Sequence, residues 1–102
     1  MHVLARELRK PEVDQVCAAM DTARASAPTL PFILEMAKVR FVPSLAMGVL
    51  VGLAREFKGR GQRLIFAGMQ PDVKQSFTIS HLHKMLEIVD DVVAALASIG
   101  GS

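Results

Sequence analysis

Few residues in this chain have usable chemistry, and Ser44 is the most prominent. It heads the apolar run from Phe41 to Ala54, where Pro43 ends what precedes it and a helix begins. A hydroxyl at that point has two uses. It can accept a hydrogen bond from an N–H one turn in, an N-cap worth about 1 kcal/mol. It can also carry a phosphoryl group, whose charge the helix dipole and the unsatisfied N–H groups favour. The cap is the plainer role, and Ser44 is the candidate phosphoacceptor. The remaining reactive residues do not combine. His81 and His83 are two apart, so their rings diverge in a strand and converge poorly in a helix; with no third ligand in range, no metal site is expected. Cys17 falls on the apolar face of a helix and reads as a small core residue. Glu35 stands in its strand without a paired carboxylate or histidine, so it forms no acid–base dyad. The Gly59-Arg60-Gly61 stretch follows a helix, the reverse of the order a phosphate loop requires. No catalytic set and no cofactor are expected, and the chain reads as a non-enzyme.

The helix behind Ser44 is the more informative feature. A helix lying on one face of a sheet carries a polar outer side, yet Leu45 to Ala54 has none. Such a helix is fully buried or keeps a face for a partner. Gly48 and Gly52 lie four apart on one stripe, and each interior glycine costs up to ~1 kcal/mol against alanine. Their presence implies that backbone or a partner approaches closely there. The candidate partner-binding residues are Pro43, Ser44, Leu45, Ala46, Met47, Gly48, Val49 and Gly52, with Met47 as an adaptable contact. A basic group, Arg55, Lys58, Arg60 and Arg63, complements the far end of the helix and has a secondary role in steering an acidic partner.

The whole chain is consistent with this. Its 102 residues support one domain, 51% apolar and 22% charged, the balance of an ordinary globular protein. The net charge of +2 is spread along the chain, and Trp and Tyr are absent, so nucleic-acid binding is not expected. The single cysteine suits a reducing cytoplasm. The charged N-terminus is not a signal peptide. The Phe41–Ala54 run of about 14 residues falls short of the ~20 that span a bilayer, so no membrane insertion is expected.

Periodicity sets out the elements. A short strand fits His2 to Leu8. A helix starts at Pro11, turning Val13, Val16, Cys17 and Met20 inward and ending by Ala27-Pro28. A strand follows over Leu30 to Met36, then the helix from Leu45 to about Lys58, closed by Gly59-Arg60-Gly61. Arg63 to Gly68 is a buried strand, and Gln70-Pro71-Asp72 opens a helix running to Ile79. Leu86 to Val89 is a brief strand, and Asp90-Asp91 cap a last helix over Val92 to Ile99. The expected architecture is α/β, with about four strands in a mixed, mainly parallel sheet and helices packed mainly on one side. The domain covers 1–99, and 100–102 form a flexible tail.

In this order the elements resemble the STAS domains, the family of bacterial anti-sigma factor antagonists. That family's signature runs Asp-Ser-Ser/Thr-Gly-Leu-Gly-Val-Leu into a helix; here Phe41-Val42 leads into Pro43, Ser44, Leu45, Ala46, Met47, Gly48, Val49 and Leu50. The basic glycine-broken loop before a buried strand is similar to Gly59 through Ile65, and the closing pattern to Pro71-Asp72-Val73, Ser80 through Leu86 and Asp90-Asp91. The resemblance implies a regulatory interaction domain in transcription control that binds an anti-sigma factor or a related ATP-binding switch kinase through the helix after Ser44. It also marks departures. The family's phosphorylated hydroxyl falls at Leu45, its neighbouring Asp at Pro43, and its glycine at Ala46. Only the first serine is kept, as Ser44, the position of the hydroxyl in the small STAS subunits of lipid-transport ABC systems. An accessory subunit docking on a transporter ATPase is therefore an alternative. The family usually opens with two strands, of which only one fits here. A missing first strand would leave a sheet edge open to pairing, which implies a homodimer or a self-assembling STAS–STAS module as a third alternative.

Overall fold

The computed structural model describes residues 1–26 and 29–100. Helix α1 (Lys10–Ser26) is followed by β1 (Phe32–Glu35), α2 (Ser44–Gly59), β2 (Leu64–Ala67) and α3 (Pro71–Ile79). A 3-10 turn at Leu82–Met85 then leads into β3 (Glu87–Val89) and α4 (Val92–Gly100). The expected end of the first helix at Ala27-Pro28 lies outside the described residues. So do residues 101 and 102 of the expected tail, while Gly100 is the last residue of α4.

The sheet has three strands in the order β1-β2-β3, every pair parallel. The expected fourth strand, and with it the expected mixed sheet, is not formed. The segment at the N-terminus touches its neighbour at two isolated parallel bridges, His2 to Glu35 and Glu7 to Phe41. The two bridges are five positions apart on one side and six on the other, and the chain turns at Ala37-Lys38 between them. A continuous ladder cannot follow that path. The edge of β1 is nevertheless occupied: the Val3 N–H donates to the Glu35 carbonyl at 2.9 Å and the Glu35 N–H to the Met1 carbonyl at 2.8 Å. All pairs are parallel because each strand is joined to the next through helix rather than hairpin.

Strand β2 is buried along its whole length. Its Leu64 and Phe66, with Leu34 of β1, meet Val16 and Met20 of α1, Leu50 and Phe57 of α2, and Val73 and Phe77 of α3 in one core. The opposite face, Ile65 and Ala67 with Ile33 and Val89, is covered by Ala95 of α4. Three helices therefore lie on one side and α4 on the other. The inward face expected for α1 is present at Val13, Val16 and Met20, with Cys17 half-buried beside them.

Local clasps hold the ends of these elements. The Arg9 N–H donates to Glu12 Oε1 at 3.0 Å, half of a capping box at the start of α1. The Ala94 N–H donates to Asp91 Oδ1 at 2.7 Å, the cap expected for the last helix. Arg63 pairs with Glu87 and donates to Ser98 Oγ at 2.8 Å, tying β2, β3 and α4 together. After β1 the chain folds back on Glu35, whose Oε1 accepts the Ala37 N–H at 2.7 Å while Oε2 lies 3.1 Å from His2 Nδ1. Sequence alone left Glu35 without a histidine; the fold supplies one from 33 residues away.

Phe66→Ala should lower stability by about 3–5 kcal/mol in urea denaturation, whereas Leu45→Ala, on the surface, should change it little. The Ala37 N–H holds the Glu35 carboxyl below its ordinary pKa, with His2 and Lys38 acting the same way. Its contribution is therefore complete above the ordinary glutamate range and is lost as pH falls through the lowered folded value. Glu35→Gln should cost about 1 kcal/mol at neutral pH. That deficit should shrink in denaturation curves recorded at successively lower pH, as the wild-type carboxyl also becomes protonated.

Candidate docking site

The site is built on the first turn of α2. Pro43 holds the N-cap position in an extended conformation, φ −60° and ψ 155°, and its carbonyl accepts the Met47 N–H at 2.9 Å. Proline has no side-chain acceptor, so the turn carries no side-chain cap. Ser44 comes one residue too late for the N-cap role expected of it and is instead the first residue of the helix. Its hydroxyl is exposed, and no hydrogen bond engages it among the described residues.

Helical geometry divides the expected partner-binding residues into two groups. Ala46 and Met47 are 4% and 6% exposed and belong to the core with Leu50 and Val51. Their side chains are directed mainly into the core, and only their edges reach the hollows on either side of the helix. Leu45, by contrast, is 77% exposed. Ser44, Gly48 and Gly52 are exposed on the helix, while Pro43 and Val49 are half-buried. A Cβ placed on Gly48 or Gly52 would meet no atom within 4 Å. The close approach expected at these glycines is therefore not made by any of the described residues.

Two residues join this surface that the helix pattern did not single out. Phe41 is 50% exposed just before the turn, with the Arg9 guanidinium 6.0 Å from its ring centroid. Ile79, 70% exposed, ends α3. A signal for Ile79 was available: Val73 and Phe77 define the buried stripe of α3 at a spacing of four, which leaves Ile79 off it. A hollow of about 310 Å³ between α2 and α3 is lined by Phe41, Pro43, Ser44 and Ile79. A second, of about 360 Å³, lies between α1 and α2 and is lined by Leu8, Val13, Pro43, Leu45 and Val49. Pro43 borders both hollows.

The other sequence candidates lie elsewhere. Arg63 is engaged by Glu87, and the Arg55 Nη2 lies 3.6 Å from Met85 Sδ. With Lys58 and Arg60 they mark the far half of α2 and the start of β2, away from Ser44. His81 sits at φ 59° ahead of the 3-10 turn that carries His83. Burial pushes the Cys17 thiol pKa up, helped by Asp14, Asp21 and Glu56, which keeps it protonated. Among the described residues no helix is long and apolar enough to cross a membrane.

The fold has counterparts among solved structures. The unphosphorylated form of the anti-sigma factor antagonist SpoIIAA matches with a TM-score of 0.74 at 24% identity, over 99% of this chain and 86% of that one. The protein TM1081, determined by NMR, matches with a TM-score of 0.71 at 12% identity, over 92% of this chain and 78% of that one. At these identities the likeness is one of fold. The family model of the STAS domain matches residues 4–95, nearly the whole of the described chain, and the protein is thereby a member of the STAS domain family.

Proposed function

We propose that this STAS domain is a non-catalytic regulatory module. In this reading it resembles an anti-sigma factor antagonist and binds an anti-sigma factor or a related ATP-binding switch kinase through the face around Ser44. The observation that carries this reading is the exposure of three large apolar side chains, Phe41, Leu45 and Ile79, beside one hydroxyl at the start of α2. Scattered apolar residues are normal on a protein surface, but Phe41 and Ile79 border the hollow beside Ser44 and Leu45 the adjoining one, and apolar residues grouped in this way are the pattern of an interaction site. The fold likeness to SpoIIAA supports the choice of partner class.

Phosphorylation is not needed for such docking. Leu45, at the family's phosphoacceptor position, has no hydroxyl and would contribute apolar area instead. A phosphoryl group on Ser44 would bring nearly two negative charges among Phe41, Leu45 and Ile79, opposing an apolar contact. In the hollow beside Ser44 no basic side chain stands ready to receive it.

Isothermal titration of a candidate anti-sigma factor kinase tests the reading. Leu45→Asp and Ile79→Asp should each weaken binding at least about tenfold, the size of effect expected when an apolar anchor is replaced by a buried charge. Circular dichroism and thermal midpoints should be unchanged, because both residues are exposed. Full-strength binding by the folded double variant would sink the proposal. The glycines provide an independent check. Gly48→Ala and Gly52→Ala should each stabilise the free protein by about 0.5–1 kcal/mol, since nothing in the chain obstructs a methyl group there. If a partner packs against that stripe, the same substitutions should weaken its binding.

A further inference from the structure

Beside the docking face the fold gathers positive charge that it leaves unused. Arg6, Lys38 and Arg40 line one hollow of about 280 Å³ together with Leu4, Ala37 and Gln70, and among the described residues no acidic side chain lines it. All three cations are exposed, and among the described residues none of them takes part in an ion pair. Arg9, Lys10, Arg24 and Arg63 are paired with acids, and Arg55, Lys58, Arg60, Lys74 and Lys84 form no ion pair among the described residues; what sets the three apart is their convergence on one hollow, whereas the hollow lined by Lys58, Arg63 and Lys84 also has Glu87 in its wall. Glu35, whose charge Lys38 favours, is already committed to the Ala37 N–H and His2.

The hollow is also held in shape. The Arg40 and Phe41 N–H groups both donate to the Arg6 carbonyl, at 2.7 and 3.2 Å, and the Leu8 N–H donates to the Phe41 carbonyl at 2.9 Å. On the opposite wall the Gln70 side-chain amide donates to the Ala37 carbonyl, and Gly68, at φ 72°, packs against Ala37. Positive charge brought by three side chains to one hollow suits a counter-charge from outside. Arginine guanidinium groups suit carboxylates, which they bind through two parallel hydrogen bonds. Leu4, 70% exposed, adds an apolar element to the hollow, and the step from Arg40 to Phe41 joins it directly to the docking face.

We infer that the protein partner docks with an acidic segment that contains an apolar residue. Its carboxylates enter the hollow of Arg6, Lys38 and Arg40, its apolar residue meets Leu4, and the adjoining partner surface covers Phe41 and Leu45. The partner chemistry assumes the docking face proposed above. Exposed charge pairs of this kind act more on the rate and specificity of encounter than on final affinity.

A blocked peptide of four glutamates around one leucine, titrated into the 15N-labelled full chain, is the probe. Saturable shifts of the Arg6, Lys38, Arg40 and Phe41 amides are expected, and they should weaken as salt is added. The R6Q/K38Q/R40Q variant should keep its circular dichroism spectrum and bind at least about tenfold more weakly, the combined loss of three exposed charge pairs. The same peptide with lysines in place of glutamates should shift none of these amides. The inference is overturned if the shifts persist in the triple variant, or if they spread equally over Arg55, Lys58 and Arg60. It is also overturned if inorganic phosphate reproduces them at equal or higher affinity, which would make the hollow a small-anion site. Failure of the docking face is read separately: Leu45→Asp alters that face and leaves the hollow intact, whereas the triple variant alters the hollow and leaves the face intact.

Discussion

Burial of β2 from both sides is the constraint on which the other elements depend. Four consecutive residues, Leu64 to Ala67, are removed from water, and alternate side chains point to opposite faces, so each face must be covered separately. Phe66 and Leu64 recruit α1, α2 and α3, while Ile65 and Ala67 recruit α4. The parallel pairing on either side of β2 requires a crossover at each step, and α2 and α3 are those crossovers. The place where α2 begins, and the surface it presents, are consequences of that arrangement.

Once Leu50 and Phe57 are anchored on the sheet, the rotation of α2 is set. Ala46 and Met47 turn inward with them, and Leu45 and Gly48, about 100° further around, turn outward. An apolar helix segment thus serves two ends at once, core on one side and a small apolar surface on the other. Ser44 sits at the boundary without capping the helix, because Pro43 occupies the cap position. A hydroxyl free of that structural role is available to solvent and to whatever covers the face.

The two ends of the sheet hold their charge in different ways. At the starts of β2 and β3, Arg63, Glu87 and Ser98 satisfy one another and join two strands to α4. At the opposite end, where the strands finish and α2 starts, Glu35 is consumed by a turn clasp, and Arg6, Lys38 and Arg40 converge on one hollow without forming an ion pair among the described residues.

The sequence by itself determined the order of the elements, the inward faces of α1 and the strands, the Asp91 cap and the family. Each of these is encoded in local spacing or in an ordered set of short motifs. Hydrophobic periods of two and about 3.6 survive in one dimension, which is why the buried residues Val13, Val16, Met20 and Phe66 were legible. Only the tertiary structure decided that the N-terminal strand reduces to two bridges, since that depends on a turn some 30 residues away matching it in length. It also decided that Met47 is core while Leu45 and Ile79 are surface. An unbroken apolar run does not reveal its own rotation, which is set by what it packs against. The hollow of Arg6, Lys38 and Arg40 was invisible for the same reason: its cations come from separate segments that only backbone pairing across the Arg6–Arg40 contact brings together.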